Sequence, residues 1–183
     1  MNPKFDKHIN PYRFPLDVIT KIPVCPHPGS FGAIRKHDRH TGVDLYVAEE
    51  VDGLVYPIEY GEVVAILDFT GEHSKPPTPY WNNTKAVLVE GDTGVIVYGE
   101  IEPFVEVGDI VNPALNKSLG VVVPVLKVDK GRPVKMLHIE LLTHGSRTEA
   151  HVWRCHDSVS SDSRLHDPTF LLMQGAANTM IGW

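Results

Sequence analysis

The chain has 183 residues, 42% hydrophobic and 22% charged, which is length and apolar material enough for one domain with a buried core and excludes a disordered segment. A formal net charge of −6 with no Lys/Arg cluster argues against a nucleic-acid binder. The N-terminus MNPKFDKHINPYRF lacks an apolar h-region, and no run approaches the roughly 18 apolar residues of a membrane helix, so neither a cleaved signal nor a membrane span is expected and a cytoplasmic or virion-associated place fits better than classical secretion.

Residues 1 to 29 are proline-rich (INPYRFPL, KIPVCPHPGS) and are expected to form an extended arm over a domain surface, because each proline removes a backbone donor and keeps its predecessor out of the helical region. Cys25 in this arm and Cys155 near the other end fit no paired motif and are expected to be unbridged. Within the next unit, 30 to 144, short β-prone runs alternate with turns: GLVYPI, GEVVAILDF, KAVLVEG, TGVIVYGEI, GDIV, LGVVVPVLKV and MLHIELL. That spacing predicts an all-β fold, an antiparallel sandwich or barrel, with glycine and acidic residues at the tight turns. Between two of the runs lies a long proline-rich loop, 70 to 83, which carries Tyr80 and Trp81 and is a candidate ligand-binding excursion or a plain surface loop. The extension 145–183 is less regular and is expected to pack on the same domain. In LHDPTFLLM, Asp167 at an N-cap and Pro168 at the first helical position predict a short helix over about 167 to 173, one of at most two.

A weak repetition is visible as well. VDGLVYPIEYGEVVAI and EPFVEVGDIVNPALNKSLGVV each join a valine-rich entry to a valine-rich exit through a glycine turn, which predicts two similar β units folded over one another.

The stretch RHTGVDLY, residues 39 to 46, sets His40 and Asp44 four residues apart, so one turn can direct both at a common ion. His138 in MLHIELL, on a predicted strand, can close a set of three. Two histidines and one carboxylate with a fourth position left open is the pattern of a catalytic zinc site, with bonds of about 2.0–2.2 Å. A turn hydrogen bond between His40 and Asp44, beside a satisfied core histidine at 138, fits the same spacing. A biotinyl or lipoyl carrier needs an exposed lysine in a setting like MKM, which is absent, and a histidine phosphotransfer site has no place for Asp44.

HTGVDL resembles the H-x-x-x-D motif of the M23 peptidases, the LytM/lysostaphin-type zinc endopeptidases of peptidoglycan, and LHIELL resembles the end of their H-x-H motif. Between them GEVVAI, YWNNTKAVLVEG, VYGEIEPFVEVGDIV and LG follow that family's order of elements over roughly residues 39 to 142, and DPTFLL is similar to its closing segment. The resemblance implies a β sandwich built on a duplicated hybrid motif, one zinc held by His40, Asp44 and His138, and a peptide or peptidoglycan-like ligand. It also exposes a departure. Where the family has its two catalytic histidines, this chain has Met136 and, in YGEI, Glu100. Met136 can neither transfer a proton nor donate to an oxyanion, whereas Glu100 can serve as a general base. His37, His73 and His144 are the candidates for a remaining helper. Three readings follow: a catalytically degenerate relative that binds peptide or glycan against Tyr80 and Trp81, which the loss of both helpers favours, an active zinc hydrolase that uses Glu100, or an intracellular zinc-stabilised interaction module.

Overall fold

The β-prone runs lie side by side in an antiparallel arrangement. The computed structural model describes residues 12–127 and 134–181; the first eleven residues of the arm, residues 128–133 with the DKG run expected at a tight turn, and the last two residues lie outside the described residues. In chain order the strands are β1 Asp38–Arg39, β2 Val43–Val47, β3 Leu54–Val55, β4 Gly61–Thr70, β5 Thr84–Gly91, β6 Val95–Pro103, β7 Ile110–Val111, β8 Gly120–Val122, β9 Lys135–Leu142, β10 Trp153–Arg154 and β11 Leu165–His166, followed by helix α1 Thr169–Ile181. Nine strands form one sheet with the path β11-β9-β6-β5-β4-β7, with β2 added on β9 and β8 joining β6 to β3. Strands β1 and β10 pair separately. The chain is thus an all-β, antiparallel fold with one α-helix among the described residues, as its strand spacing predicts.

The two repeat-like segments pair crosswise. Strand β3 of the first pairs with β8 of the second, and the start of β4 pairs with β7.

Alternation along the strands separates two faces. On one, Val43, Leu45, Val47, Ile96, Tyr98, Leu137 and Ile139 join a large apolar core. On the other, Ala86, Leu88, Val95, Val97 and Leu142 make a smaller cluster, with Phe69 packed against it. Successive side chains of a strand point to opposite faces, so Asp44 and His138, each flanked by core residues, emerge on the second face.

The described part of the proline-rich arm has no strand or helix of its own, as expected, but it is more than a surface strap. Phe14 and Leu16 are fully buried in the main core, and Leu16 bridges to Val55. The helix is also longer than its capping signal indicates. Asp167 Oδ1 accepts from the Thr169 backbone N–H at 2.8 Å, the expected cap, yet α1 runs on to Ile181. The arm holds that extra length: Asn178 Nδ2 donates to the Tyr12 carbonyl at 2.8 Å, and Thr179 Oγ1 accepts from Phe14 N–H at 3.2 Å. Gly175 has no room for a side chain, since a Cβ there would lie 2.6 Å from the Arg13 carbonyl oxygen. Cys25 and Cys155 are both free. No helix among the described residues is long and apolar enough to cross a membrane.

Candidate metal centre

Three donor atoms converge where β2 and β9 run antiparallel. Asp44 and His138 are directly opposed in the register, and His40 stands in the turn leading into β2. That turn is pinned by the His40 N–H to the Ala33 carbonyl at 2.9 Å and by the Gly32 N–H to the His40 carbonyl at 2.8 Å. The glycine of HTGVD permits the close approach: a Cβ on Gly42 would meet His138 Nε2 at 2.7 Å and collide with the Ile139 carbonyl.

His40 Nε2 lies 3.1 Å from His138 Nδ1 and 3.0 Å from Asp44 Oδ1, and His138 Nδ1 lies 2.9 Å from the same oxygen. Bonds of about 2.0–2.2 Å to one ion at near-tetrahedral angles leave donor atoms a little over 3 Å apart. The triangle matches that demand, and all three residues are buried. Their outer hydrogen bonds turn the correct lone pairs inward. His40 Nδ1 is 3.1 Å from the Ser30 carbonyl, which can only accept, so Nε2 faces the centre. His138 Nε2 is 3.2 Å from Glu140 Oε1, which frees Nδ1. Glu140 is itself held by Thr41 Oγ1 at 2.6 Å and by the Ala150 N–H at 2.8 Å, the latter from the C-terminal extension. Three electron-pair donors this close, in a buried place, call for a cation among them, and the residues present fit a divalent metal.

The titration behaviour agrees. Burial would raise the Asp44 carboxyl, but the charge and hydrogen bonds of His40 and His138 overrule it and hold it well below the usual carboxylate range. Burial depresses His138, yet its hydrogen bonds to Asp44 and Glu140 and their charges raise it to about 10. In His40 burial wins over Asp44 and lowers the imidazole. Burial would raise Glu140 too, but its hydrogen bond to His138 and that ring's charge pull it down. Asp44 and Glu140 are therefore held ionised around the histidines, and a dication bound among them would take the place of the proton that His138 otherwise carries.

Glu100 stands beside this set without belonging to it. Along β6 and β5, Gly99 pairs with Ala86 and Ile101 with Lys85, so Glu100 is the extra residue of a bulge, and its φ is 66°. Bulges re-aim side chains, and a positive φ on a non-glycine residue stores strain. The side chain is buried, Oε2 has no hydrogen-bond partner, and burial followed by the Asp44 charge pushes the carboxyl up to about 8. Beside it, Gly99 lies opposite His138, and the Phe69 ring lies tilted against the His138 ring with centroids 5.3 Å apart.

Arg35 adds the positive charge. Its Nη2 is 2.5 Å from Asp44 Oδ2, the oxygen turned away from the donor triangle, and its Nε donates to the Pro28 carbonyl at 3.2 Å. Spacing alone does not reveal Arg35, since its partners are fixed by the turn before β2.

The remaining candidates lie elsewhere. Met136 is on the same face as His138, paired with Tyr46. Tyr80 and Trp81 stack edge to face at 5.4 Å in the loop between β4 and β5, which is tied to residues 124–126. His144, largely exposed, lies 3.6 Å from Glu90, and His37 and His73 are exposed; the structure brings none of the three to the donor set. No model of a known protein family matches the chain, and no curated protein matches it in sequence.

Proposed function

We propose that this domain is a zinc-dependent hydrolase of the LytM/lysostaphin-like kind, with His40, Asp44 and His138 as ligands and Glu100 as general acid–base. The observation that carries the reading is the placement of Glu100: a buried carboxylate with a free oxygen, set beside the ligands by a strained bulge in an otherwise regular strand. A fold gains nothing in stability from an unpartnered buried carboxylate, so such a group points to chemistry. The order of strands and the geometry of the donor triangle support kinship with those peptidases.

An ion bound there supplies Lewis acidity, polarising water and an acyl oxygen. The chain's own groups do the rest. His40 and His138, each oriented by an outer hydrogen bond, would hold the ion together with Asp44. Glu100 takes a proton from the attacking water and returns it to the departing amine nitrogen. Phe69 over His138 keeps bulk water from the ligand ring. The exposed Tyr80 and the half-buried Trp81 against it offer a surface for a peptide or glycan.

Purified cell walls test the proposal. Zinc-loaded wild type is expected to lower turbidity and release peptide, and Glu100→Gln to lose about 10²- to 10⁴-fold of that rate with its zinc content unchanged. A wild type that is inert yet sediments with the walls would make the domain a zinc-stabilised binding module. Activity gained only in Met136→His would identify a scaffold that has lost its catalytic histidine.

A further inference from the structure

Hydrolysis of an acyl bond requires a donor to the oxygen that becomes negative, and neither Met136 nor an ionised Glu100 provides one. We infer that Arg35 does: its guanidinium, beside Asp44, binds the anionic oxygen of the substrate next to the metal centre. The inference rests on the hydrolytic reading above and adds a residue that reading does not contain.

The argument is one of placement and charge. Arg35 is anchored twice, through Nη2 to Asp44 Oδ2 and through Nε to the Pro28 carbonyl, so the guanidinium plane is fixed beside a ligand of the ion. Asp44 uses its other oxygen, Oδ1, in the donor triangle. The side chain is 36% exposed whereas Asp44 is 5% exposed, so Arg35 reaches from the buried centre toward solvent, where a substrate arrives. Two of the fork's N–H-bearing atoms are committed to these anchors, and Nη1 makes no hydrogen bond among the described residues. Both His40 and Glu100 feel its charge. Asp44 and Glu140 offset the charge of a dication, so once Glu100 has taken the water's proton Arg35 is the positive charge left over for the oxyanion.

In the step itself the water oxygen bonds to the acyl carbon, the carbonyl π pair moves onto the acyl oxygen, and Glu100 receives the water's proton. Arg35 donates an N–H to that oxygen. When the C–N bond breaks, the pair on oxygen re-forms the carbonyl and Glu100's proton goes to the nitrogen. Arg35 ends as it began.

Arg35→Ala and Arg35→Lys separate this role from mere support of Asp44. Zinc content is measured by elemental analysis, binding of inorganic phosphate (a stable tetrahedral oxyanion) by calorimetry on zinc-loaded protein, and hydrolysis on cell walls with and without added guanidinium chloride. The expected result for Arg35→Ala is retained zinc, phosphate binding weakened about tenfold or more, and kcat lowered about 10²- to 10³-fold, partly restored by millimolar guanidinium. Variants that lose zinc while their loaded fraction binds phosphate like the wild type would overturn the inference and leave Arg35 a support for Asp44. If the wild type cleaves nothing but its phosphate binding still depends on Arg35, the hydrolytic reading falls and the anion site stands. Wild-type hydrolysis with phosphate binding and kcat indifferent to Arg35 removes the inference and leaves the hydrolytic reading intact.

Discussion

Strands β2 and β9 show the same pair of segments to two different surroundings. Val43, Leu45, Leu137 and Ile139 point to the main core, and Asp44, His138 and Glu140, their immediate neighbours in sequence, point to the candidate metal centre. The first set stabilises: each fully buried aliphatic side chain contributes about 1.5–3 kcal/mol. The second set costs desolvation, which its hydrogen bonds and a cation must offset. The difference teaches that the apolar face acts as the jig for the polar one. A slip of one residue between β2 and β9 would put the donors in the core and the valines and leucines on the site, so register and metal geometry are enforced by the same packing.

The comparison can be broken first from the apolar side. Leu137→Ala, next to the ligand His138 in sequence but fully buried on the other face, is expected to cost about 2–5 kcal/mol in urea unfolding. At temperatures where it stays folded it should bind zinc at full stoichiometry. Loss of zinc from the folded variant would show that the two faces are not separable.

From the polar side, zinc itself is the lever. Zinc at about 100 times its dissociation constant should stabilise the wild type by about 2.7 kcal/mol, because a ligand bound only by the folded state shifts the equilibrium by mass action. Zinc should not move the melting temperature of His138→Ala. An equal shift in both proteins would place the bound ion somewhere other than the donor triangle.

A finer cut lies in the outer hydrogen bonds. Glu140→Gln keeps the shape but weakens the hold on His138 Nε2, and is expected to lower zinc affinity about 10- to 100-fold with little change in the core. Competition against a chelator of known affinity measures it, and an unchanged constant would mean that packing alone orients the ring.

Much of the fold is legible in the sequence. Runs such as KAVLVEG and MLHIELL carry the β-branched and alternating character that strands require, and Asp167 before Pro168 marks the helix start by a cap that is local chemistry. His40, Asp44 and His138 are legible because their residue types and the four-residue spacing of the first two are local, although the register of β2 against β9 is what brings His138 to them. The length of α1 was not, since its last turns are held by Tyr12 and Phe14 from the far end of the chain. Strands β1, β10 and β11 are two residues each, too short for any periodicity, and exist only through their partners.

The amino-acid sequence by itself determined which segments form the longer strands and which residues can bind a metal, because those are properties of side-chain type and short spacing. Only the tertiary structure decided that Glu100 is a bulged, buried carboxylate and that Arg35 grips the outer oxygen of Asp44. The same holds for Glu140, which draws the C-terminal extension onto a ligand histidine. Each of these depends on where two distant backbones pass one another. A bulge comes from the mismatch between paired strands, and an ion pair or an orphaned oxygen comes from what else is packed around it, so no pattern within a single segment carries that information.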